Sequence, residues 1–289
     1  MSEKIFFNGE LVEPSRAVVN INDPAVLHGS SVFEEMRVCN GVVWRFDEHL
    51  RRLADNVDFL GLRTSATSGE LVDGTYAAID ANDIRQGRCR IVLTPGEFGG
   101  KPNVAVVASA LPEYPQSWFD DGIDVVVSSL KIFRGDPLAG RDTGCNLWRL
   151  IALQEAARKK AHEALLYNDI NQLAQASMAN VFLVIAGKVF TPPRDTPVTP
   201  GITRQAVMDI CGRLNISYDC DTPLTVKEML DADEMFLTNV GVGVRPVVRI
   251  ERHEVGNEKP GEITRQLMTE LAALIENECK DRNIFQLDK

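Results

Sequence analysis

Two stretches of this chain carry side chains of the kind that bind anions or move protons. In FDEHLRRL (46–53), His49 and Arg52 stand three residues apart, which on a helix puts them on one side. Read alone, Arg52 is a surface charge and His49 a structural histidine orienting a turn. In GRDTGCN (140–146), Asp142, Thr143 and Cys145 precede an apolar-periodic segment. A thiol near a carboxylate suggests a nucleophile and its base, and a helix N-terminus would lower the thiol pKa. The plainer reading is a small buried thiol at a helix start. Asp142 likewise suits the N-cap of a helix over 143–160, a role that needs no catalysis. Arg37, in the strand-like run 32–38, either lines a binding site or pairs with Glu34 or Glu35. The six cysteines include no Cys-x-x-Cys pair, so neither a zinc knuckle nor a redox dithiol is indicated, and no metal is expected.

The elements that must position these residues read as two α+β halves. Asn8-Gly9 and Asn40-Gly41 each separate two short apolar runs, the signal of a β-hairpin. Leu50, Leu53, Val57 and Leu60 fall on one face of a helix over 47–60, and 70–83 reads as another. Strands are expected over 88–94, 104–109, 123–129, 164–167, 182–185, 189–190 and 234–238. Helices are expected over 143–160, 200–214, 225–232 and 261–279. The proline-bearing stretch 112–122 is the best linker candidate. We therefore expect 1–118 as a smaller N-terminal domain, 119–125 as linker and 126–289 as a larger C-terminal domain. Strands come in adjacent pairs rather than alternating strictly with helices, which favours α+β over a doubly wound sheet.

Composition narrows the partners. The chain is 44% hydrophobic and 25% charged, with enough apolar material for one large or two moderate domains. Its net charge of −10 repels phosphate backbones, so nucleic acid is not an expected partner. The N-terminus lacks the apolar core of a signal peptide, and no stretch reaches membrane-span length. A cytoplasmic protein with reduced thiols is the expectation.

Five blocks, in order, resemble the class IV aminotransferase family of branched-chain aminotransferases, D-amino-acid aminotransferases and aminodeoxychorismate lyases. They are LHGSSVFEEMR (27–37), FDEHLRRL (46–53), ASMANVFLV (176–184), TPGITRQAV (199–207) and LTNVGVGVRPV (237–247). The resemblance implies the two-domain fold-type IV α+β fold, a pyridoxal-phosphate (PLP) cofactor on a lysine, and a homodimer. It also assigns positions. Aligned either on Pro137–Gly140 or on Ala152–Ala156, Asp142 stands at the lysine, Thr143 at the following threonine and Cys145 at the asparagine. Matching Asn146 instead puts Thr143 in the lysine slot, and neither choice supplies an amine. Lys131 lies eleven residues upstream of Asp142. Counting back from Asn180 puts Gln175 where the family's pyridine-nitrogen carboxylate falls. Arg52 matches the phosphate arginine, and Ile202 and Thr203 match the phosphate-facing helix start. The loop that carries hydroxyls in the family reads Val240, Gly241 and Val242 here, Gly241 being counted with the anion contacts. Pro95 falls near the position of a substrate-carboxylate arginine.

Three functions follow in order of preference. The first is an enzyme that no longer uses PLP, acting on a small anionic molecule in the former cofactor cleft with Asp142 as acid and base. Arg52, Ile202, Thr203 and Gly241 would hold the anion, with Arg37, Thr143 and Cys145 as further cleft candidates. The second is a non-catalytic binding relative. The third is a conventional PLP transaminase or aminodeoxychorismate lyase with a displaced lysine. On the first reading no cofactor is expected, a non-covalently held PLP being the alternative.

Overall fold

The computed structural model describes residues 3–64 and 66–280. The chain divides into two compact units: 1–112 with 142–145 and 274–289, and 113–141 with 146–273. The expected linker 119–125 falls inside the second unit, and residues 281–289 of the expected C-terminal domain lie outside the described residues.

The first unit contains β1 (Ile5–Phe7), β2 (Glu10–Val12), α1 (Pro24–His28), β3 (Val32–Cys39), β4 (Val42–Val43), α2 (Phe46–Leu60), α3 (Ser68–Ala81), β5 (Gln86–Thr94) and β6 (Asn103–Ala110). Its strands form a six-stranded sheet in the order β2-β1-β6-β5-β3-β4, antiparallel at each described pairing. Both Asn-Gly hairpins are present. Asn40 and Gly41 take φ of 55° and 75°, the left-handed pair that a two-residue turn between Cys39 and Val42 requires. Thr67 and Glu70 close a capping box at the start of α3. Val32, Met36 and Val38 of β3 pack with Phe46, Leu50 and Leu53 of α2 in one core.

The second unit contains α4 (Ser117–Asp120), β7 (Ile123–Ile132), α5 (Leu147–Arg158), β8 (Glu163–Asn168), β9 (Leu173–Ala176), β10 (Asn180–Ile185), β11 (Lys188–Phe190), α6 (Ile202–Arg213), β12 (Tyr218–Asp219), α7 (Val226–Leu230), β13 (Glu234–Asn239), β14 (Gly243–Ile250), β15 (His253–Glu254) and most of α8 (Glu262–Glu278). Its sheet runs β12-β11-β10-β13-β14-β7-β8-β9, with β15 against β14. The β14–β7 and β7–β8 pairings are parallel, so α5 serves as the crossover between β7 and β8. β8, β9 and most of β10 are continuously buried, as strands covered on both faces must be.

One expected helix is shortened, and the reason bears on function. The helix expected over 143–160 starts only at Leu147, with Asn146 at the N-cap. Residues 142–145 are instead drawn out against the start of β3. Phe33 N–H donates to the Asp142 carbonyl at 3.2 Å, Thr143 bridges to Val32, and Gly144 N–H donates to the Ser31 carbonyl at 2.9 Å. A Cβ at Gly144 would collide with the Ser31 hydroxyl and the Gly29 carbonyl, so the close pairing demands glycine. Asp142 is therefore not the helix cap.

Candidate functional site

β3 alternates buried and half-buried positions, and Glu34 falls on the buried side with Val32, Met36 and Val38. A carboxylate there needs partners. α2 supplies them, because His49 and Arg52 lie one turn apart beside its apolar face. Arg52 Nε and Nη2 donate to Glu34 Oε1 and Oε2, both at 2.8 Å, and His49 Nδ1 lies 2.7 Å from Oε2. Burial alone would raise the Glu34 pKa. The Arg52 charge and the hydrogen bonds from His49 and Arg52 outweigh it and hold the carboxyl below its usual range. Burial pushes His49 below its ordinary value more strongly than Glu34 raises it. The ring is thus neutral near pH 7, with Nδ1–H toward Glu34 and Nε2 a bare, buried lone pair without a partner. Arg52 Nη2 also stands 3.3 Å from Asp142 Oδ2. Glu34 and Asp142 together outweigh burial and keep the guanidinium charged.

Glu34, His49, Arg52 and Asp142 thus form one cluster in the first unit. His49 is structural, as its sequence context indicates. Glu34 is the anchor that sequence reasoning named only as a partner for Arg37; an acid on the inward beat of an apolar strand is the signal for it. Glu35 pairs with Arg88 and Arg90, while Arg37 sits half-buried on β3 within electrostatic reach of the Cys279 thiol. Thr143 is buried, and its Oγ1 accepts from Cys145 N–H at 3.3 Å. Cys145 is exposed rather than buried, and its thiol donates to the His28 carbonyl at 3.2 Å.

In the second unit the polar residues gather on Thr199. Its N–H donates to Gln175 Oε1 at 2.9 Å, its carbonyl accepts from Asn180 Nδ2 at 2.8 Å, and its hydroxyl oxygen accepts from Arg149 Nη2 at 2.7 Å. These bonds come from β9, β10 and α5 and fix the turn that starts α6. Gly201, at the N-cap, offers no side chain to cap the helix, and a Cβ there would collide with Asn180 Oδ1. The first turn, with Ile202 and Thr203 both buried, thus starts without a side-chain cap. Gln175 is buried, and its Nε2 has no hydrogen-bond partner among the described residues. The turn after β13 is tied to itself: Val242 N–H donates to Asn239 Oδ1 at 2.8 Å, and Gly241 approaches Tyr114. Lys131 is exposed, donates to Asn171 Oδ1 at 3.0 Å and lies over the Tyr167 ring. Thr199 and Arg149 escaped sequence reasoning, since no local pattern marks a threonine as the meeting point of three distant elements.

Comparison with known proteins gives this geometry a family. The class IV aminotransferase model matches residues 31–250, and the chain belongs to that family. A protein of Methanocaldococcus jannaschii provisionally named a branched-chain-amino-acid aminotransferase is 30% identical over 273 residues, covering 91% of this chain and 93% of that one. The branched-chain amino acid aminotransferase of Escherichia coli superposes with a TM-score of 0.91 at 26% identity, over 98% of this chain and 97% of its own. A second branched-chain amino acid aminotransferase, from T.th., shares the fold with a TM-score of 0.91 at 22% identity, over 96% and 95% of the two chains. That second enzyme has been solved with pyridoxamine 5'-phosphate and with N-(5'-phosphopyridoxyl)-L-glutamate. The expectation of no cofactor is corrected by these relatives. The Gln175 amide donor, without a partner among the described residues, and the α6 start, without a side-chain cap, are groups that a ligand bearing acceptors would fit. Among the described residues no helix is long and apolar enough to cross a membrane.

Proposed function

We propose that this protein holds a phosphorylated pyridoxal or pyridoxamine without covalent attachment, and that Asp142 carries the proton that an amine carries in its relatives. The observation behind this reading is the Asp142 carboxylate, paired with Arg52 at 3.3 Å and set in place by the extended 142–145 segment. The resemblance of its sequence blocks to the family assigns the cofactor lysine's position to that segment, and a carboxylate cannot form an imine. When bound, the vitamer supplies an electron-withdrawing ring and a reactive carbon at C4′.

The chain's own residues do the rest. Arg52 is assigned to the phosphate by resemblance, with Ile202, Thr203 and Gly241 as backbone contacts. Glu34 takes two of the Arg52 donors, so Arg52 acts as an oriented partner rather than a mobile charge. Asp142 accepts and returns a proton as general base and acid. A homodimer belongs to the same proposal and is checked by sedimentation.

The test begins with protein purified in the presence of PLP or pyridoxamine 5'-phosphate and freed of unbound ligand. The bound vitamer should be visible by absorbance, and borohydride should leave the protein mass unchanged. Asp142→Lys should gain a reducible adduct with PLP. A phosphopyridoxyl-lysine in the unaltered protein would sink the proposal and favour a conventional transaminase. Asp142→Asn separates an enzyme from a non-catalytic binder: turnover of an amino acid with a 2-oxo acid should vanish while the vitamer is still retained.

A further inference from the structure

The two ends of the Gln175 amide are not equivalent. The Thr199 backbone N–H can only donate, so the atom facing it at 2.9 Å must be the acceptor Oε1. That leaves Nε2 facing the other way, in a side chain 2% exposed, with no partner. Buried N–H donors are seldom orphaned, less often than buried acceptors. Turning the amide over does not help, because its NH2 would then oppose the Thr199 N–H. Whatever ligand reaches this atom must therefore present an acceptor.

Resting on the cofactor reading above, we infer that the Gln175 amide donates to the ring nitrogen of the bound vitamer and keeps that nitrogen unprotonated. A protonated ring nitrogen is a donor, and Gln175 would set N–H against N–H. A carboxylate at 175 would do the opposite, accepting from a ring N–H and favouring the charged ring. An uncharged ring withdraws electrons less strongly. The protein's own acid–base groups, Asp142 first, must then carry more of any proton transfer.

The probe is pyridoxamine 5'-phosphate labelled with 15N in the ring, bound to the whole protein and followed by NMR across pH. The resonance should hold the neutral-pyridine position over the range in which the free vitamer gains its proton. Its protonation midpoint should fall by at least about one pH unit, a tenfold loss of proton affinity. In Gln175→Glu the bound ring should become charged at the same pH, since the Thr199 N–H still finds an acceptor. If that variant fails to fold, Gln175→Met should move the midpoint back toward the free value. A charged ring in the unaltered protein, or a neutral ring indifferent to these substitutions, overturns the inference alone. Failure to retain either vitamer by equilibrium dialysis overturns the cofactor reading and this inference with it.

Discussion

Around Glu34 in the first unit, a buried carboxylate is met by opposite charge; around Thr199 in the second, an uncharged residue gathers two side-chain amides and the Arg149 guanidinium. Among the described residues each region holds a buried ring or amide nitrogen without a hydrogen-bond partner, and the two differ in kind. His49 Nε2 is a bare lone pair, whereas Gln175 Nε2 carries hydrogens. An unmet acceptor is tolerated in protein interiors more readily than an unmet donor. The ionic cluster is therefore mostly self-sufficient, whereas the Thr199 cluster keeps a donor for a ligand to meet.

The sharpest way to break this contrast is to remove the anchor of the ionic cluster. Glu34→Ala takes two hydrogen bonds from the half-buried Arg52 guanidinium and leaves buried His49 without its partner. A loss of about 3–5 kcal/mol in urea unfolding is expected, the usual result of stripping one partner from a buried pair. A loss below about 1 kcal/mol would mean that Asp142 or water replaces Glu34, and that the cluster is not what shapes the unit.

Next in size is a packing test of the Thr199 cluster. Gly201→Ala drives a methyl into Asn180 Oδ1, and Asn180 is bonded to the Thr199 carbonyl. Overpacking of this kind costs about 1–3 kcal/mol. Vitamer affinity should fall as well, because the same turn starts α6. If stability drops while affinity holds, the α6 start does not contact the ligand.

How far these clusters could be read from sequence differs for the same physical reason. The hairpins at Asn8-Gly9 and Asn40-Gly41 and the amphipathic α2 rest on local rules, and all are present. Arg52 was legible through its block. The start of α5 was not, because residues 142–145 obey a pairing with β3 more than one hundred residues away rather than their own helical pattern. Asp142 looked like a cap for the same reason. The Thr199 hub draws on β9, β10 and α5, and no window of sequence contains them together. Gln175 was singled out by its place before Asn180, but the direction in which its amide points needed the Thr199 N–H.

Acid should act on the ionic cluster in two stages, and the Thr199 cluster contributes to neither. The folded pKa of His49 lies below its ordinary 6.5, so the unfolded chain binds that proton first. Stability is then full above about pH 6.5 and falls as pH drops toward the folded value, by up to about 1.4 kcal/mol per unit. Glu34 is depressed below its ordinary 4.5, so its contribution is present above that value and lost as pH falls through the folded pKa. Urea titrations at neutral, mildly acidic and acidic pH should show the two stages in that order. His49→Gln should erase the first stage and keep the second. A single fall confined to the carboxylate range would show that His49 is charged in the folded protein.

The smallest effect on stability is expected at Asp142, on which the proposed function turns. Asp142 shares Arg52 with Glu34, its ion pair is 3.3 Å long, and its backbone is held independently through the Phe33 N–H. Removing the charge in Asp142→Asn leaves the two shorter Glu34–Arg52 bonds in place, so unfolding should change by less than about 1 kcal/mol. Binding should respond more. With one carboxylate fewer beside Arg52, inorganic phosphate should bind several-fold more tightly, and the gain should shrink at high salt as a Coulombic effect must. Tighter phosphate binding with unchanged stability would mean that Asp142 moderates the arginine rather than supporting the fold. If phosphate affinity stays the same and stability falls instead, Asp142 is a structural member of the ionic cluster and its proposed acid–base role is lost.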